Sequence, residues 1–136
     1  MQKTFILLAS TFALTACGEM GAPKCDSAEV KEQAIKLTKQ VLQNELIHQY
    51  LPKYITYEEA KKSDVEQFRK FAGMVDKQIA ENGLAMTAVR PVSEDGQIRK
   101  CTCAASIALN NGNTLGLDYS AQYTTDGQIY VEVRVK

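Results

Sequence analysis

The chain has 136 residues, of which 24% are charged; 16 Lys and Arg balance 16 Asp and Glu, and there is one histidine. That length suits a single domain, and the lack of a basic surplus argues against a nucleic-acid partner. Four cysteines in so short a chain make the redox compartment the next question.

The first element is a leader. Lys3 is followed by an apolar run from Thr4 to Leu14 and then by Thr15, Ala16 and Cys17, the charged, apolar and small-residue order of a secretory signal. As a helix the run would reach about 16 Å, roughly half the ~30 Å a membrane span must cross. The quartet Leu14-Thr15-Ala16-Cys17 resembles the lipobox of bacterial lipoproteins. The resemblance implies cleavage before Cys17, diacylglyceryl and acyl (palmitate-type) modification of that residue, and a membrane anchor. Gly18, where inner-membrane lipoproteins carry Asp, implies the periplasmic face of the outer membrane. Residues 1–16 are then a signal peptide, 17–25 a lipidated tether, and 26–136 the domain. Removing 16 residues leaves 120 in the mature protein.

Asp26 with Glu29 three positions later has the form of a capping box. Val30, Ala34, Leu37 and Val41 recur at helical spacing, so the first helix should run to near Leu51, ahead of Pro52. A second helix is predicted from Tyr57 or Ser63 to Glu81, with Val65, Phe68, Ala72, Val75 and Ile79 inward and Asn82-Gly83 as its stop. Beyond Leu84 the period falls to two. Four strands follow, at Leu84–Val92, Ile98–Leu109, Thr114–Thr124 and Gln128–Val135, separated by turns rich in Asn, Asp and Gly. Cys101, Cys103, Ala105 and Ile107 should share one apolar face with Leu115, Leu117, Tyr119 and Ala121 and with Ile129, Val131, Val133 and Val135.

These elements predict an α+β domain in which two N-terminal helices cover an antiparallel meander. Their order is similar to that of the cystatin-like and NTF2-like domains of small exported bacterial proteins. With Cys17 acylated, Cys25, Cys101 and Cys103 remain for an oxidising compartment. Cys101 and Cys103 lie on the same side of a strand about 6.6 Å apart, near the upper limit for a bridge. Cys25 is therefore expected to pair with one of them, either Cys101 or Cys103. The competing use of Cys101 and Cys103, as a redox dithiol or soft-metal site, conflicts with their place on a core face and with the scarcity of further ligands.

Chemistry elsewhere is sparse. His48 is the only histidine and falls at a helix end, and Glu58-Glu59 and Glu94-Asp95 fall at a helix start and a turn. No nucleotide, nucleophile-elbow or zinc signature is present, and no catalytic residue, cofactor or metal is expected. Tyr50, Tyr54 and Tyr57 around Pro52, and Tyr130 with Arg134 on the outer sheet face, are the candidate partner surfaces. The expectation is a non-enzymatic envelope lipoprotein binding a protein partner, as an inhibitor, immunity, exclusion or assembly factor. A small-ligand-binding or enzymatic NTF2-like domain is the alternative, to be recognised by a deep polar-lined pocket, with thiol or metal handling at Cys101 and Cys103 as the third.

Overall fold

A computed structural model describes residues 21–136. Cys17 and the leader lie outside the described residues. Helix α1, Ala28–Ile47, begins one residue later than the Asp26 pattern predicts: the Ser27 hydroxyl accepts from the Val30 N–H at 3.3 Å and is the N-cap. Ser serves as well as Asp in this role because its oxygen satisfies a backbone donor that the helix itself leaves open. At the other end His48 is the C-cap, and turn bonds from Tyr50 and Leu51 back to Ile47 carry the chain to Pro52.

The two starts open to the second helix, Tyr57 and Ser63, mark two separate helices. Helix α2, Tyr57–Lys61, opens on a capping box between Thr56 and Glu59, and helix α3 runs Glu66–Asn82. The break at residues 62–65 has a local cause. The Ser63 hydroxyl accepts from the Val65 N–H at 3.0 Å, and Arg69 donates to the Ser63 carbonyl at 2.7 Å, so side chains take over groups the helix ladder would have used.

Four antiparallel strands follow in a meander, β1 Ala85–Asp95, β2 Lys100–Ala108, β3 Thr114–Tyr123 and β4 Ile129–Val135, ordered β1-β2-β3-β4. Cys101 lies opposite Ala121, Cys103 opposite Tyr119 and Ala105 opposite Leu117; Tyr119 in turn faces Val133. The alternation expected from the sequence thus holds, because a strand's side chains repeat every two residues. Strand β1 is longer than predicted and irregular, with register shifts flanking Ala88–Val89 and Val92. Ala88 takes φ 54° at the first of these, the left-handed conformation found in one type of bulge. Pro91 is tolerated because β1 is an edge strand.

The helices do not share the sheet between them. Helix α1 packs on it, chiefly against β4, whereas α3 packs against α1 and α2. Two cores result. The first joins Cys25, Val30 and Ala34 to Cys103, Ala105, Ile107, Leu117, Tyr119 and Ala121. The second gathers Ile47, Leu51, Tyr57, Ala60, Ala72, Val75 and Ile79. The stripe on α3 is spent on the C-terminal half of α1, so the expectation of two covering helices is corrected to one.

Candidate functional site

The expected tether is partly folded. Pro23 and Cys25 are buried, the Ser27 N–H bonds to the Lys24 carbonyl at 3.2 Å, and the Tyr119 hydroxyl donates to the Cys25 carbonyl at 2.9 Å inside the core. These contacts place residues before 26, the boundary read from the capping pattern, within the domain. They also hold Cys25 over β2.

Cys25 and Cys103 are at disulfide distance, with their Cα atoms 5.8 Å apart, well within the range such a bond needs. Of the two partners left open by the sequence, the structure pairs Cys103. Cys101 keeps its thiol and is 4% exposed. Its sulfur is 2.9 Å from that of Cys25 and 3.6 Å from that of Cys103. The cause is the strand period: two cysteines two residues apart point the same way, so a third brought to one is brought to both.

All three sulfur atoms lie within 4.8 Å of one another. With two of them bonded the group offers a single thiolate, whereas a closed soft-metal site needs several. Burial pushes the Cys101 thiol up from its ordinary pKa, the Glu94 carboxylate pushes it further, and a bond from the Cys25 backbone pulls it partly back. A buried thiol of this kind is a poor nucleophile at neutral pH. Tyr119 is pushed up to about 12, by burial first and then by the charges of Cys101 and Asp26.

A cavity of about 360 Å³ opens beside the cluster, between residues 21–26 and the Val89, Pro91, Glu94 and Cys101 side of the sheet. It is not a pocket between helix and sheet, which the small-ligand alternative would need. That interface is filled, with Val30, Ala34 and Ile107 fully buried and Leu117 only 1% exposed.

The candidate partner residues divide. Tyr54 is 81% exposed, and Tyr50 is stacked on Phe71 with ring centroids 5.0 Å apart. Tyr57, expected among them, belongs to the interior: it is 3% exposed and donates to Asp76 at 2.5 Å. Burial and the Asp76 carboxylate raise its pKa. Tyr130 and Arg134 are exposed on β4, where Arg134 borders a shallow polar dish with Lys100, Asp118 and Glu132. His48 sits at the helix end, its Nε2 3.1 Å from the Ile55 carbonyl oxygen, so it clips the α1–α2 connection.

One polar centre escaped the sequence reading. Asp76 on α3 accepts from Tyr57 on α2 and, at 3.4 Å, from Gln43 on α1, so it joins three helices. The signal was an acidic residue immediately beside Val75 on the inward stripe of α3. Comparison with protein-family models, curated proteins and solved structures finds no match to this chain.

Proposed function

We propose that the chain is an exported bacterial lipoprotein, anchored through Cys17 at the periplasmic face of the outer membrane, whose domain is non-enzymatic and holds a protein partner in the envelope. The observation that supports this most is the pairing of Cys25 with Cys103. Cys25 stands eight residues beyond Cys17, and structural bridges of this sort persist in oxidising compartments. The bond ties the anchored end of the chain to the middle of the sheet, so the domain is presented at a fixed exit point and short distance from the membrane.

The filled helix–sheet interface favours a partner over a small ligand, which needs an open concave site. The exposed aromatic residues Tyr54 and Tyr130 are the anchors we assign to that partner. We read the architecture as cystatin-like, on a long helix that covers a four-stranded meander, with the two further helices inserted between them in the chain.

Two measurements test this reading. Metabolic labelling with an alkyne fatty acid should mark the membrane-bound full chain, and Cys17→Ala should abolish both the label and membrane retention. The full chain should then capture an envelope protein that rebinds when purified, with Tyr54→Ala or Tyr130→Ala reducing affinity at least tenfold. An unlabelled chain sinks the anchor, and capture of nothing, or capture indifferent to both substitutions, sinks the partner surface.

A further inference from the structure

We infer that Cys25 is a shared sulfur, exchanging its bond between Cys103 and Cys101 by an internal thiol–disulfide exchange within the three-cysteine cluster. The inference concerns the oxidised domain and stands whether or not Cys17 carries lipid.

The placement carries it. Cys101 and Cys103 occupy the same face of β2, and Cys25 lies over both, its sulfur 2.9 Å from the thiol that it is not bonded to. In the exchange the Cys101 thiolate attacks the Cys25 sulfur. The Cys25–Cys101 bond forms, the Cys25–Cys103 bond breaks, and Cys103 leaves as a thiolate that takes up the proton Cys101 gave up. One disulfide and one thiol exist before and after, so no outside oxidant or reductant enters.

Displacement at sulfur runs in line with the bond being broken, and Cys101 now sits beside that bond, 3.6 Å from Cys103. A side-chain rotation of Cys25 must come first. The cavity bordering both Cys25 and Cys101 gives it room on that side.

The two isomers differ in what they show to that cavity. With Cys25 on Cys103, the free thiol is Cys101, which lines the cavity; with Cys25 on Cys101, the free thiol is Cys103, which is wholly buried. The domain thus has one state that presents a thiol and one that withholds it. The bond passes between two strand sulfurs only 3.6 Å apart, so the move is one of side chains.

The rate is governed by the thiolate fraction. The charged and titratable groups around Cys101 are Lys24 and Asp26 on the incoming segment, Glu94 on β1 and Tyr119 on β3. Burial and Glu94 hold the thiol protonated at neutral pH, so exchange should be slow there and quicken about tenfold per pH unit until the thiol titrates.

The test is cysteine mapping of the full chain, purified without reductant, incubated at pH 6 to 9, acid-quenched, alkylated and sequenced by tandem mass spectrometry. The expected result is alkyl label on Cys101 in one population and on Cys103 in another, approaching a constant ratio faster at higher pH. Cys103→Ala should form the Cys25–Cys101 bridge, and Cys101→Ser should show the Cys25–Cys103 bridge alone at every pH. Label on Cys101 only, at all pH values and times, overturns the exchange even if Cys103→Ala fails to fold. So does a folded Cys103→Ala chain in which Cys25 and Cys101 are both free.

Discussion

The two cores are closed by different means. Around the sheet, three alanines, Ala34, Ala105 and Ala121, sit among the larger Val30, Ile107, Leu117 and Tyr119. This half is fastened by the Cys25–Cys103 pairing and by the Tyr119 hydroxyl on the Cys25 carbonyl. Around α3 the mix of sizes is similar, Ala60 and Ala72 with Ile47, Leu51, Tyr57, Val75 and Ile79, but the fastening is packing plus the hydrogen bonds that converge on Asp76. Covalent closure thus lies where the incoming chain meets the sheet, and the end far along α1 depends on burial. Thr38, fully buried on α1, returns its hydroxyl to the Ala34 carbonyl at 2.7 Å, so it asks neither core for a partner.

The largest expected effects probe whether these cores unfold as one. Ile107→Ala in the sheet core and Ile47→Ala in the helical core each remove a fully buried side chain, at about 3–4 kcal/mol. If α1 couples the cores, hydrogen exchange will quicken in both halves for either variant; quickening confined to the mutated half would make them separate cooperative units.

Cys25→Ala is next. It removes either pairing at once, and the chain-entropy model for a loop of this length gives a loss of up to about 4.5 kcal/mol in denaturant melts. The reduced parent should match it, and an unchanged midpoint would show that packing alone closes the sheet half.

Gly83→Ala tests the joint between the halves. Gly83 has φ 68°, and a Cβ there would stand 2.9 Å from the Asn110 side-chain amide, whose nitrogen donates to the Glu81 carbonyl at 2.9 Å. Strain of this kind costs about 1–3 kcal/mol, read as a lower melting midpoint, and a neutral substitution would mean that the hairpin loop does not hold α3.

The smallest contrast lies between the two buried phenols. Tyr57→Phe should cost about 1.5–2 kcal/mol, since its bond is to a carboxylate, and Tyr119→Phe about 1 kcal/mol, since its bond is to a carbonyl. Both phenols have folded pKa values above the ordinary value of about 10. Their contribution is therefore complete below pH 10 and is lost above it, for Tyr119 as pH rises through about 12. Alkaline melts should show that decline, and Tyr119→Phe should weaken it; a parent insensitive to pH over this window would contradict the burial of both hydroxyls.

Much of this was legible beforehand. Alternation at β2 to β4 predicted the shared face of Cys103, Tyr119 and Val133, because period-two patterning follows from strand geometry alone. The helical spacing at Ala72, Val75 and Ile79 predicted α3 in the same way. The sequence left open whether the helix begins at Tyr57 or at Ser63, since the break between them depends on a hydroxyl and on Arg69 choosing backbone groups over solvent. The buried role of Tyr57 was not legible: an aromatic residue beside a proline reads as surface until Asp76 is brought to its hydroxyl from α3.

By itself, then, the sequence determined the elements, their order, the inward face of each strand and the short choice of partners for Cys25, all of which are local or periodic properties. Tertiary structure alone decided that α1 covers the sheet while α3 turns away from it, that Cys101 is left as a thiol beside the bridge, and that residues 22–25 belong to the fold. Those outcomes depend on which surfaces meet across the chain, and periodicity says which face is apolar without saying what it will touch.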